Sequence, residues 1–110
     1  MNISRRDDAD ISIFSLEGRI DSEGAIELEE TLQKTAAEGR HKIILDMSEV
    51  RYINSSGLRI LADILTLNRE HNGDLRLVAL NPKVRRVLEI IGFHKFFEDY
   101  DSVLAALKGL

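Results

Sequence analysis

Two adjacent hydroxyls, Ser55 and Ser56, sit between Asn54 and Gly57, directly ahead of a long apolar-rich stretch. Hydroxyls at a helix start have two uses. One is capping, in which the oxygen accepts a bond from a free backbone amide of the first turn. The other is to carry a phosphate, which the free amides and the positive end of the helix dipole would accept without unfolding the chain. A phosphate adds roughly 1.5 to 2 negative charges, enough to break an apolar interface. A serine nucleophile is a poor third reading. A nucleophile elbow needs Gly-x-Ser-x-Gly, and Ile53-Asn54-Ser55-Ser56-Gly57 lacks the first glycine. The histidines are His41, His71 and His94; His41 precedes a strand and His71 ends a helix, positions that suit solvated side chains better than a general base.

Other candidate chemistry is weaker. No two histidines have metal-ligand spacing, and Asp7-Asp8-Ala9-Asp10 lacks the glycine and distal Glu of a calcium loop, so it reads as a turn. No glycine-rich phosphate loop is present. Arg85-Arg86 reads as an exposed helix face, and Phe93, Phe96 and Phe97 as core. No cofactor is expected.

The elements around the serines follow from periodicity. Asn2 to Arg6 can pair as an edge strand with Ile11–Leu16, which Gly18 is expected to end. Asp21-Ser22-Glu23 starts a helix with Ala25, Leu28, Leu32 and Ala36 on one face, stopped at Gly39. Ile43-Ile44-Leu45 has no polar interruption, as a central strand covered on both faces requires. Asp46 closes that strand and a polar turn is expected up to the serines. A second helix spans about Ser56 to His71. It is apolar on most sides, so it is either buried or shared with a partner. Leu75–Leu80 is a strand and Asn81-Pro82 a helix start. Gly92 stops that helix, and Phe93–Phe97 is short and aromatic, with a final strand as one reading that the sequence leaves open. Asp101-Ser102 caps a last helix. Strands alternating with helices predict an α/β sheet. Strand ends carry functional loops in such sheets. Asp21, Asp46 and Asn54 are therefore expected to gather beside Ser55.

Composition bounds the function. A chain of 110 residues is read as one domain, with 44% hydrophobic residues for a core. The net charge of -4 argues against direct nucleic-acid binding, and the lack of cysteine excludes thiol chemistry and disulfides. The N-terminus lacks a signal-peptide pattern, and no apolar run is long enough to span a membrane. A cytoplasmic protein is expected.

These motifs resemble a family. Asp46-Met47-Ser48-Glu49-Val50-Arg51-Tyr52-Ile53-Asn54-Ser55-Ser56-Gly57-Leu58 is similar to the signature of STAS domains, the group containing bacterial anti-sigma factor antagonists. Gly18-Arg19-Ile20-Asp21, Leu80 to Leu88 and Ile91-Gly92-Phe93 resemble the family's flanking segments. The resemblance implies one STAS domain over residues 1–110, with a small mixed sheet and about four helices packed mainly on one face. It also implies partner switching in transcription regulation, of the kind tied to stress responses. The unphosphorylated protein binds an anti-sigma factor that is itself a serine kinase, which frees the sigma factor. Phosphorylation of the first serine, here Ser55, ends binding, and a phosphatase resets it. The implied binding face comprises Asp21, Asp46, Asn54, Ser55, Ser56, Gly57, Leu58 and Arg59. The family's Asp before the serines is Asn54 here, which keeps the capping shape and removes a charge. Arg59 either neutralises a phosphate on Ser55, contacts the partner, or pairs with Asp63. Two rival roles remain, an unphosphorylated interaction subunit of a transport system or signalling assembly and a nucleotide or small-molecule sensor, and the apolar second helix leaves self-association open.

Overall fold

The computed structural model describes residues 1–110. Strand β1 (Asn2–Asp8) pairs antiparallel with β2 (Ile11–Ile20) through a tight turn in which Ala9 takes a positive φ of 54°. After β2 the chain runs as α1 (Ser22–Ala37), β3 (Lys42–Ile53), α2 (Ser55–Glu70), β4 (Asp74–Val78), α3 (Pro82–Ile90), a 3₁₀ turn (Phe93–Lys95), β5 (Glu98–Tyr100) and α4 (Val103–Leu107). The sheet order is β1-β2-β3-β4-β5, with β2 to β5 mutually parallel.

That order explains where the helices lie. Each crossover steps one strand in the same direction, and crossovers share one hand, so α1, α2 and α3 fall on one face. Their side chains Leu28, Leu32, Leu61, Leu65, Val84 and Leu88 pack with Phe14, Leu16, Ile43, Leu45, Leu75 and Leu77 of the sheet in one core. The opposite face carries a smaller cluster of Ile11, Ile13, Ile44 and Val78, covered by Ala106 of α4. Ile43, Ile44 and Leu45 are all buried, as a strand covered on both faces requires. Arg76 fastens α4: its guanidinium donates to the carbonyls of Ala106 (2.9 Å) and Lys108 (2.6 Å) and lies over the Tyr100 ring.

Five expectations need correction. Gly18 does not end β2, which continues to Ile20; the glycine takes a φ of 119° within the strand. Asp46 does not close β3, and no turn precedes the serines. The strand runs on to Ile53, paired only with β2 beyond Asp46. Between Ser15↔Asp46 and Glu17↔Glu49, and again between Gly18↔Val50 and Arg19↔Tyr52, β3 advances one residue more than β2. Each extra residue is a bulge, and the two bulges stretch the buried spacing from two to three, giving Met47, Val50 and Ile53. The period-two signature of a strand is thereby erased from the sequence. β4 ends at Val78 rather than Leu80. The last strand is Glu98–Tyr100, and Phe93–Lys95 form the 3₁₀ turn. Of the three phenylalanines read as core, Phe97 is buried but Phe96 is exposed. The apolar character of α2 has an internal cause. Leu58, Ile60, Leu61, Ile64 and Leu65 are all buried within the chain, leaving Ser55, Arg59, Asp63 and Thr66 along the exposed stripe.

Candidate functional site

The serines stand at the junction of β3 and α2. Neither caps the helix. Asn54 does: its Oδ1 accepts from the Gly57 amide at 3.0 Å, in extended backbone conformation. The Asn54 amide in turn donates to the carbonyl of Ile20 at 3.0 Å, tying the ends of β2 and β3 together. Ser55 and Ser56 occupy the first two helical positions, are exposed, and have no hydrogen-bond partner for either hydroxyl. The cap and the hydroxyls are thus separate groups. That leaves the oxygens free beside backbone amides at the positive end of a 16-residue helix.

The neighbouring unit repeats this geometry. Ile20 pairs with Ile53, and Asp21 caps α1 by accepting from Gly24 at 2.9 Å, as Asn54 does for α2. Ile20-Asp21-Ser22-Glu23-Gly24 and Ile53-Asn54-Ser55-Ser56-Gly57 are therefore equivalent turns, placed side by side. Asn54 Nδ2 reaches Ser22 Oγ at 3.5 Å, the only side-chain bond between the two turns. The glycines are required by closeness. A Cβ on Gly24 would stand 2.4 Å from the Arg19 carbonyl oxygen, and one on Gly57 would stand 2.5 Å from Ile20 Cγ2.

Of the expected site residues, the structure brings Asp21, Asn54, Ser55, Ser56 and Arg59 to one edge. Arg59 follows Ser55 by one turn, is exposed, and forms no ion pair with Asp63. Three are corrected. Asp46 lies about 20 Å up β3 from the serines, at roughly 3.3 Å per residue less the two bulges, and its carboxylate accepts from the Ser48 amide. Gly57 and Leu58 face inward, both buried, and offer no side chain to a partner. The junction also has members not anticipated from the sequence. Ser22 is one, and the repeated spacing Ile-x-Ser-x-Gly was the signal for it. Tyr52 is another, 40% exposed with the Arg19 guanidinium 4.2 Å from its ring centre. Asn81 is a third: its Oδ1 caps α3 at the Val84 amide, and its Nδ2 donates to the carbonyl of Val50 on bulged β3.

No group of three or more His, Cys, Asp or Glu side chains is placed to hold a metal. No helix is long and apolar enough to cross a membrane. The junction offers two free hydroxyls on a rigid, doubly capped edge, neither of them hydrogen-bonded to a histidine or a carboxylate. That arrangement suits modification or docking.

A five-stranded sheet of this order, with three helices on one face and the serine turn at the end of its longest strand, defines a class. The sequence model of the STAS domain matches residues 2–106, and the chain belongs to the STAS domain family. It is 36% identical over 94 residues to the "Putative anti-sigma factor antagonist BtrV" of Bordetella bronchiseptica, covering 86% of this chain and 81% of that protein. The crystal structure of an anti-sigma factor antagonist from Mycobacterium paratuberculosis superposes with a TM-score of 0.86 at 29% identity, covering 96% of this chain and 90% of that one. The "Putative sulfate transporter YvdB" of Bacillus subtilis is 28% identical over 107 residues, covering 92% of this chain but only 20% of that much longer protein.

Proposed function

We propose that this protein is an anti-sigma factor antagonist whose binding is switched by phosphorylation of Ser55. Unphosphorylated, it binds an anti-sigma factor with serine kinase activity and so releases a sigma factor. Phosphorylated, it lets go, and a phosphatase resets it. The protein itself catalyses nothing in this cycle.

One observation carries the reading: Asn54 takes the cap, leaving the Ser55 hydroxyl exposed and unbonded at the helix start. A transferred phosphoryl group therefore costs no structural hydrogen bond, and it arrives at the positive end of the dipole. It also arrives on the edge formed by Asp21, Ser22 and Arg59, where a partner would dock. The family membership and the relatives named as antagonists supply the class of partner.

The test is direct. Incubation with the kinase encoded nearest to this protein's gene, plus ATP, should add one phosphate at Ser55 by intact mass and fragment analysis. Ser55→Ala should remain bound to that kinase under phosphorylating conditions, and Ser55→Asp should bind weakly. Equal binding by the two variants rules out Ser55 as the switch. A second reading rests on Asn54 and on the transporter relative. In that reading the domain is an unphosphorylated interaction subunit, and no phosphate is added while the partner still binds.

A further inference from the structure

The face of β2 and β3 turned away from α1–α3 is covered by α4 only over Ile11, Ile13, Ile44 and Val78. Beyond that patch it lies open. There Glu17, Gly18, Arg19, Glu49 and Arg51 line one hollow of about 540 Å³. Glu17 is the direct cross-strand partner of Glu49. Like charges placed opposite one another in a sheet destabilise it. Neither acid has an ion pair within 4 Å, and Glu17 accepts only a long bond, 3.4 Å, from Asn2. Arg19 and Arg51, one step further along the same strands, also lack ion pairs; Arg19 is held on the Tyr52 ring instead. Elsewhere the chain pairs its charges readily, as Arg5 with Glu38, Lys42 with Asp10 and Arg85 with Asp99 show.

Two acids paired across the strands, followed on the same strands by two bases that line the same hollow, Arg19 opposite Tyr52 and Arg51 at the bulge, make a pattern complementary to its own image after a half-turn. We infer that this open sheet face is a self-association surface. A second copy of the chain docks on it about a twofold axis near Gly18, with Glu17 and Glu49 of each copy facing Arg19 and Arg51 of the other. Such an interface is isologous, each patch being its own partner. The uncovered area spans three strands about 4.8 Å apart and about six residues of about 3.3 Å each, on the order of 300 Å² per copy. That is below the roughly 800 Å² per partner of a stable complex, so association is weak, concentration-dependent and salt-sensitive. The inference does not depend on the role of Ser55.

The test is sedimentation of the full chain and two charge-reversed variants, Glu17→Arg/Glu49→Arg and Arg19→Glu/Arg51→Glu. Wild type should reach a monomer–dimer equilibrium at high micromolar concentration in low salt, reverting to monomer at 0.5 M salt, a salt level about fivefold above that at which the screening length is ~10 Å. Each variant alone should be monomeric under all these conditions. Their equimolar mixture should form a heterodimer at least as tight as wild type, since every facing pair is then opposite in sign. The salt response of wild type is a readout free of any folding defect in the variants, and circular dichroism checks each variant. Wild type that stays monomeric at 1 mM in low salt overturns the inference, and with it would go the case for a second copy rather than a heterologous partner. Variants that dimerise as well as wild type overturn it equally, by placing the contact elsewhere.

Discussion

Asn54 is the one position where the serine turn departs from the family pattern, and its structure makes the consequence of Asn54→Asp calculable. The substitution keeps the capping oxygen, since Asp and Asn cap equally well. It adds a negative charge at the positive end of α2, a gain of about 0.3–1 kcal/mol. Against that stands Asp21. Ile20 pairs with Ile53, so positions 21 and 54 follow directly on neighbouring strands, about 5 Å apart at ordinary strand spacing. Two carboxylates at that distance repel by about 0.8 kcal/mol in bulk water and by about 3 kcal/mol at an effective dielectric near 20. Both positions are half-buried, so the repulsion falls between these limits and exceeds the dipole gain. The loss of the 3.5 Å contact from Asn54 Nδ2 to Ser22 adds little, the bond being at the edge of hydrogen-bonding range.

Asn54→Asp should therefore destabilise the fold by about 1 kcal/mol in urea denaturation at low salt, with the loss shrinking in 0.5 M salt. In the background of Asp21→Asn, the same substitution should turn neutral or stabilising. A double-mutant cycle isolates the coupling, expected at about 1–2 kcal/mol between the two positions. A cycle that closes to within about 0.3 kcal/mol refutes the side-by-side cap geometry. So does an Asn54→Asp variant more stable than wild type at low salt.

Three further outcomes follow from the same contacts. Gly57→Ala gains up to ~1 kcal/mol of helix propensity but drives a Cβ within 2.5 Å of Ile20 Cγ2, a fully buried side chain; with overpacking at ~1–3 kcal/mol, a net loss of stability in chemical denaturation is expected, and an unchanged midpoint would contradict the close approach. Asn81→Asp keeps the cap at Val84 but loses the donor to the Val50 carbonyl and sets a carboxylate against it, so it should lower stability by about 1–3 kcal/mol, whereas Asn81→Ser, which can still cap, should lose less. Hydrogen bonds from Arg5 hold the Asp7 and Glu38 carboxyls below the ordinary range, and Lys42 does the same for Asp10. Depressed carboxyls stabilise the fold above their unfolded values, near 3.8 for Asp and 4.5 for Glu, and that contribution disappears as pH falls through the lower folded values. Thermal melts should therefore show an acid-side loss below about pH 4.5, and Arg5→Gln should flatten it; because these groups are exposed, the effect should be small and weakened by salt.

How much of this was readable from residues alone divides along one physical line. Local chemistry was legible. Asp21, Asn81 and Ser102 cap where their types predict, and Gly39 and Gly92 take positive φ values at helix ends. Ile43-Ile44-Leu45 is buried on both sides. What failed depended on a partner strand. Met47, Val50 and Ile53 face the core at intervals of three because β3 bulges twice against β2, and a bulge is a property of the pair, invisible in either strand alone. Reading that stretch as a turn placed Asp46 beside Ser55, when the strand carries it far away. The same holds for the serines. Which of Asn54, Ser55 and Ser56 caps α2 depends on where β3 stops, and only its continuation to Ile53 gives the cap to Asn54.

The twin turns then explain why the hydroxyls are left exposed. Parallel neighbours β2 and β3 end in register, so α1 and α2 begin side by side and both need a cap at the same level. A carboxylate at each would repel. One Asp and one Asn satisfy both helices, and the asparagine's spare amide points across to Ser22. The serine after each cap is thereby relieved of structural duty. On α1 that serine meets the neighbouring cap, whereas on α2 both serines face solvent along the stripe that continues through Arg59 and Asp63. The asymmetry places the free hydroxyls on one edge only. In the proposed switch, a phosphate on Ser55 would change the charge of that edge while the two caps beneath it stay fixed, and a change of charge on a rigid surface is what a binding switch requires.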